Sequence, residues 1–204
     1  MGVYKYLKEM NNRKQSDVAR YLNRIRTWEY RQLGKVVRVK RPLKPYQAKR
    51  LGYQDKPGYS IFRARVRRGN RMKQLRKGIV SGKPANQGIS VKNARNLQSM
   101  AEVKVGKKAP SLRVLSSYWV AEDSKYKWFE VVCVDHNLER IREDPRINWI
   151  CKAKHNHREL RGKTSAGRKS RGLRNKGVGT AKLRPSKKGK IGRAHVELQS
   201  RGHL

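Results

Sequence analysis

The sequence predicts an α+β fold: a small antiparallel sheet with flanking helices, plus long basic extensions ordered by a polyanion. Three observations predict it. Residues 112–120 and 127–135 are rich in valine, leucine and aromatics, and a short polar stretch joins them, the pattern of a β-hairpin. Val18, Tyr21, Leu22, Ile25 and Trp28 recur at helical spacing near the N-terminus, as one apolar stripe. Charge is spread unevenly: 53 Lys+Arg stand against 14 Asp+Glu in 204 residues, a net charge of +39. Seven of those acids fall between Glu122 and Asp144, which places the self-sufficient core around the hairpin.

Residues 1–34 read as an N-terminal helical segment. Ser16 or Asp17 supplies an N-cap, Gly34 a stop, and the stripe with Trp28 is expected to face the core. Residues 35–58 form a basic extended segment broken by Pro42, Pro45, Gly52, Pro57 and Gly58. Between residues 35 and 77 there are 16 Lys/Arg and a single acid, Asp55, so this stretch is expected to be ordered by whatever its cations touch. Residues 59–150 carry the α+β core. In 59–69, alternation puts Phe62, Ala64 and Val66 on one strand face and Arg63, Arg65 and Arg67 on the other. Three arginines without an acid suit phosphate oxygens, which the guanidinium fork matches. After the loop 78–88 a helix is expected from about Lys92 to Lys104, with Ala94, Leu97, Met100 and Ala101 inward. A short helix at 137–145 ends before Pro145. Residues 151–204 form a basic C-terminal extension with 17 Lys/Arg, two acids and no aromatics, helical at most near 157–172.

A globule of this charge repels itself, so it is expected to fold poorly at low salt without an anionic partner. Nucleic acid is the partner the charge implies, because each neutralised phosphate also releases counterions. There is no run of about 18 apolar residues, so no spanning helix is expected, and the N-terminus lacks a secretory h-region. These features point to a soluble intracellular protein, and two cysteines are too few for a disulfide scaffold.

Two motifs invite catalytic readings. Gly162 and Gly167 bracket four residues as a phosphate-binding P-loop would, but Arg168 stands where the lysine belongs and Lys169-Ser170 come one residue late. No strand precedes the loop, so it is read as a segment holding polymer phosphates along Lys163, Arg168, Lys169 and Arg171. Cys133 with His136, and Cys151 with His155, imitate zinc spacings. Cys133 lies within a strand on the face of Phe129 and Val131, so it reads as a small core residue and no metal is expected. Glu122-Asp123 and Glu143-Asp144 read as turn and helix-end residues, and no enzyme activity follows from them. Among the aromatics, Tyr46 and Tyr53 are the expected base-stacking residues.

Several stretches resemble the archaeal and eukaryotic large-subunit ribosomal protein fifteen, the 15e family. They are "YKYLKE" at 4–9, "KQSDV.R" at 14–20, "W.YRQL" at 28–33, "RLGY" at 50–53, "RVRRG" at 65–69 and "GKP" at 82–84. "LQS.AE" at 97–102, "LRVLSSYWVAEDS.YK" from 112 and "HRELRGKTSAGRKSRGL" at 157–173 continue the match, colinear over about residues 1–175. The resemblance implies a structural constituent of the large ribosomal subunit that binds ribosomal RNA and helps it assemble. It implies neighbouring large-subunit proteins as further partners, and the cytoplasmic ribosome as location, with nucleolar assembly in a eukaryote. Neither a membrane nor a small-molecule substrate is expected, and the only ions would be Mg2+ or K+ held by the RNA. The last stretch, 191–204, departs from the family's arginine-rich tail, so contacts of that tail are not carried over. A histone-like nucleic-acid-compacting protein is the alternative reading.

The residues expected to meet RNA come from every basic segment. They are Arg13, Arg20 and Arg24 in the first helical segment, then Arg38, Lys40, Arg41, Lys49, Arg50 and Tyr53. Arg63, Arg65, Arg67, Arg68, Arg71, Lys73 and Lys83 follow. The C-terminal set is His155, His157, Arg158, Arg161, Lys163, Arg168, Lys169, Arg171 and Arg174.

Overall fold

The computed structural model describes residues 2–13, 16–73 and 88–184. Lys83 and the tail 191–204 lie outside the described residues. Four antiparallel strands form one sheet in the order β1 (Val36–Val39), β2 (Tyr59–Arg67), β6 (Tyr126–Asp135), β5 (Leu112–Glu122). A two-stranded ribbon, β3 (Arg71–Met72) with β4 (Ser90–Val91), stands apart. The helices are α1 (Val3–Asn12), α2 (Asp17–Gln32), α3 (Pro45–Arg50), α4 (Leu97–Lys108), α5 (Glu139–Arg142) and α6 (Ser165–Ser170). The fold is α+β, and β5 and β6 form the expected hairpin.

Strand alternation sorts the core into two faces. Ile61, Tyr118, Trp128 and Val132 pack with Tyr30 of α2, Ala48 of α3 and Tyr53. Ala64, Val66, Val114, Phe129, Val131 and Cys133 pack against Ala101 and Val105 of α4. A third cluster, Val134 with Ile141, Ile147 and Ile150, seals the sheet where the chain leaves β6. Burial pushes the Cys133 thiol up, so it stays protonated as a core side chain.

Six sequence expectations are corrected. The apolar stripe of α2 does not face the core: Trp28 is 66% exposed and Tyr21 64%. The buried side is instead Thr27 and Tyr30, with Asn23 donating to the Glu122 carbonyl and Arg31 to Asp123 at 2.7 Å. Periodicity shows that a helix has an apolar side but not which side its neighbours accept, and this sheet edge offers oxygen acceptors.

The segment 35–58 is not an extension. β1 pairs with β2 over four residues, the Leu43 amide donates to Glu130, and Ala48 and Tyr53 are in the core. Tyr53 therefore leaves the set of base-stacking candidates. Its ring packs edge-on against Tyr59, and its hydroxyl meets Asp55. Similarly, α4 starts at Leu97 and not near Lys92, because the Asn96 side chain caps it by accepting from the Ser99 amide at 2.7 Å.

The arginine face of β2 is not a uniform phosphate-facing row. Arg63 turns onto fully buried Glu130 at 3.0 Å and lies 4.0 Å from the Tyr30 ring centre, so it is a core residue. Finally, residues 151–184 fold onto the domain. Arg113 holds them by donating to the carbonyls of Ile150 and Lys152, at 2.8 and 2.7 Å.

Candidate nucleic-acid interface

The segment 157–173 is built inward first. Thr164 caps α6 by accepting from the Gly167 amide, while its own hydroxyl donates to Glu102 of α4. The second oxygen of Glu102 accepts from Ser117 of β5. Burial pushes the Glu102 carboxyl up, and the two hydroxyl donors oppose that shift. Asn96 adds two more ties, its amide to the Ser170 hydroxyl and its side chain to the Ala166 carbonyl. The loop closes so tightly that a Cβ on Gly167 would lie 2.6 Å from the Gly162 Cα, and Gly162 itself needs φ +64°. The paired glycines that suggested a nucleotide loop are thus a backbone-to-backbone contact.

With its inner side committed to α4, this segment turns its cations outward. Arg158, Lys163, Arg168, Arg174, Lys176 and Arg184 line one open hollow of about 490 Å3, with Ser165 and Leu173 and, among the described residues, no acidic side chain. Arg158 forms its anchored floor: it donates toward the carbonyls of Val114 and Leu115 and lies 5.1 Å from the Trp149 ring centre. Arg184 holds the far wall by donating to the carbonyls of Leu173 and Asn175, each at 2.8 Å. Cations fixed in this way converge on one volume without the loss of rotamer freedom that a free lysine suffers on binding.

A second hollow, about 770 Å3, opens at the end of the sheet between Arg67, Arg68, Gly69, Ser124, Lys125 and Tyr126. Asp123 organises its rim by accepting from the amides of Lys125 and Tyr126 and from Arg31. Burial alone would raise its carboxyl, but these donors more than offset burial and hold it below the ordinary range. Glu122 is bonded to Lys127 at 2.7 Å. The acids of this turn are therefore spent within the protein, and the turn shows solvent a cation.

The remaining expected residues divide by environment. Arg13, Arg20, Arg24, Arg38, Lys40, Arg41, Lys49 and Arg50 are exposed, as are Arg71, Lys73, Lys163, Arg168, Lys169 and Arg174. Lys49 sits 4.5 Å from the Tyr4 ring centre, which fastens α3 to α1, and Arg38 donates to the Ser60 hydroxyl. Tyr46 is half-buried. Several others also serve the fold: Arg65 donates to the Arg31 carbonyl, Arg68 to that of Asp123, Arg161 to those of Lys154 and Asn156, and Arg171 to that of Gly162. His155 brings no charge at neutral pH, because burial and then the neighbouring cations, Arg158 foremost, push its pKa down; its ring stands edge-on to Trp149. His157 has φ 43° and its Nδ1 lies 3.6 Å from buried Glu159.

Lys125, Lys176 and Arg184 line the two hollows but were not singled out from the sequence. For Lys125 a signal existed: Asp123 two residues before it is the Asx-turn pattern, which consumes the carboxylate locally. Among the described residues, no three His, Cys, Asp or Glu side chains converge on a metal site, and no helix is long and apolar enough to cross a membrane.

Comparison with known proteins gives a consistent result. The family described as Ribosomal L15 (L15e) matches residues 2–190. The chain is 57% identical over 189 residues to the large ribosomal subunit protein eL15z of Picea mariana, covering 92% of this chain and 93% of that one. It is 56% identical over 190 residues to eL15 of Tetrahymena thermophila, covering 93% of each. Against eL15B of Saccharomyces cerevisiae the identity is 54% over 178 residues, 87% of each chain.

Proposed function

The chain belongs to the ribosomal L15e family, whose members are structural proteins of the large ribosomal subunit and not enzymes, and on that premise we propose that it binds and stabilises ribosomal RNA through its outward cations. The observation that carries this reading is the hollow at 158–184, with six cationic side chains and no acid among its described lining residues. A volume of that kind attracts several phosphates at once, as where an RNA backbone bends back on itself. One triphosphate would need one lysine at one point; a polymer backbone accepts Lys163, Arg168, Arg174 and Lys176 over a surface.

The folded domain acts as the anchor. Buried or paired acids, among them Glu102, Glu130, Glu159 and Asp123, leave the net charge to be expressed outward. Most contacts should go to phosphate and sugar, so base readout is minor. Under this reading the neighbouring large-subunit proteins are further partners, the protein resides in the cytoplasmic ribosome, and the basic stretches beyond the domain are ordered by RNA. Any Mg2+ or K+ nearby would be held by that RNA.

Sedimentation tests the proposal. The native protein should travel with large ribosomal subunits through a high-salt wash. Release into the free-protein fraction, or co-sedimentation with DNA instead, would overturn it in favour of a histone-like role.

A further inference from the structure

α2 presents an unusual cross-section. At about 100° per residue, its surface divides into three sectors. Thr27 and Tyr30 face the protein. Arg20, Arg24 and Arg31 share the next sector, and Val18, Tyr21, Leu22, Ile25 and Trp28 occupy the third, all five exposed. A protein that turns its most apolar helix face to solvent gives up the burial that would otherwise stabilise it, and a contiguous patch of this kind marks an interaction surface.

The chemistry around the patch favours one occupant. Beside it lies a hollow of about 650 Å3 whose described lining includes Leu22 and Trp119 together with Arg13, Arg20, Arg26 and Lys44, and no acid among the described residues. An occupant must therefore bring flat apolar surface and negative charge together. Nucleotides do this in one unit, the base beside its phosphate. Tyr21 and Trp28 are seven residues apart, about 10 Å along the helix axis, so each would meet its own base. Of the two acids of the helix, Asp17 stands in the first turn, and exposed Glu29 lies in the third sector beside Trp28, between Val18 and Leu22 around the axis. A carboxylate near a base accepts from an exocyclic amine.

We propose that Tyr21 and Trp28 stack on unpaired bases of the bound RNA while the adjoining Arg20 and Arg24 hold its phosphates. This rests on the RNA-binding reading and adds to it a site of stated chemistry: single-stranded nucleotides, recognised by stacking and not by sequence. It replaces Tyr53, which is buried, as the stacking group.

The test measures affinity of the full chain at fixed salt for two RNA probes of equal length, an unstructured oligouridylate and a perfect duplex. Tyr21→Leu/Trp28→Leu keeps apolar side chains on an exposed face and removes both rings. It should weaken oligouridylate binding by about tenfold or more and change duplex binding by less than about twofold, with Tyr21→Phe/Trp28→Phe retaining affinity. Equal loss on both probes, or loss on neither, overturns the stacking assignment while leaving RNA binding intact. A wild-type chain that binds neither probe overturns the RNA-binding reading itself, and stacking with it. A photo-cross-linker at position 28 should join to RNA in assembled large subunits; a cross-link to protein alone would assign the face to a protein partner.

Discussion

At the scale of the residue, Glu130 shows how a strongly basic chain keeps its shape. It is fully buried on β6, accepting from Arg63 at 3.0 Å, from the Leu43 amide at 3.0 Å and from the Tyr118 hydroxyl at 2.5 Å. Burial first, then the Glu130 charge, push the Tyr118 phenol far above its ordinary range, so it remains a donor. One carboxylate thus ties β2, β5 and the 35–58 segment to the sheet centre. Glu130→Gln places an amide donor against a guanidinium that has only donors. It should destabilise the domain by about 3–5 kcal/mol, the range for removing one partner of a buried pair. Urea unfolding at high salt measures this, and adding Arg63→Met to Glu130→Gln should recover part of the loss. The residue types were visible in the sequence, but their meeting was not. Arg63 and Glu130 are directly opposed on neighbouring strands, and that register depends on which strands pair.

At the scale of the element, existence was legible and orientation was not. The α2 periodicity located a helix, which runs over Asp17–Gln32 with Ser16 as cap. Its apolar face, however, points away from the core. The hairpin announced itself, because two β-rich runs separated by a short polar link have few other folds. α6 falls within the stretch 157–172 where a helix was expected, inside a motif that suggested nucleotide binding. Its placement depends on close backbone approach, with Gly167 against Gly162 and Gly106 of α4 so near Glu159 that a Cβ there would lie 2.8 Å from its carboxyl carbon. Gly167→Ala should therefore unseat α6 at a cost of about 1–3 kcal/mol, typical of overpacking. Faster hydrogen exchange at the amides of 165–173 would register the change. Unaltered protection would show that the glycine contact does not hold the segment.

At the scale of the whole molecule, charge governs behaviour. A net +39 on 204 residues opposes compaction, and salt screens that repulsion. The urea midpoint of the RNA-free protein should rise as salt increases from low to physiological strength, and a midpoint that falls over that range would contradict this account. The sequence by itself determined the class, α+β, the core around the hairpin, the large excess of cations and the family. These follow from composition and local pattern, which a linear chain displays directly. Only the tertiary structure decided which cations remain available. It turned Arg63 onto Glu130, used Arg158 as a floor and gathered Lys163, Arg168, Arg174, Lys176 and Arg184 around one hollow. It also buried Tyr53 and exposed Trp28. The physical reason is common to all of them. A guanidinium or an aromatic ring is equally suited to a phosphate, a base, a carboxylate or a carbonyl, and which of these it meets depends on neighbours distant in the chain.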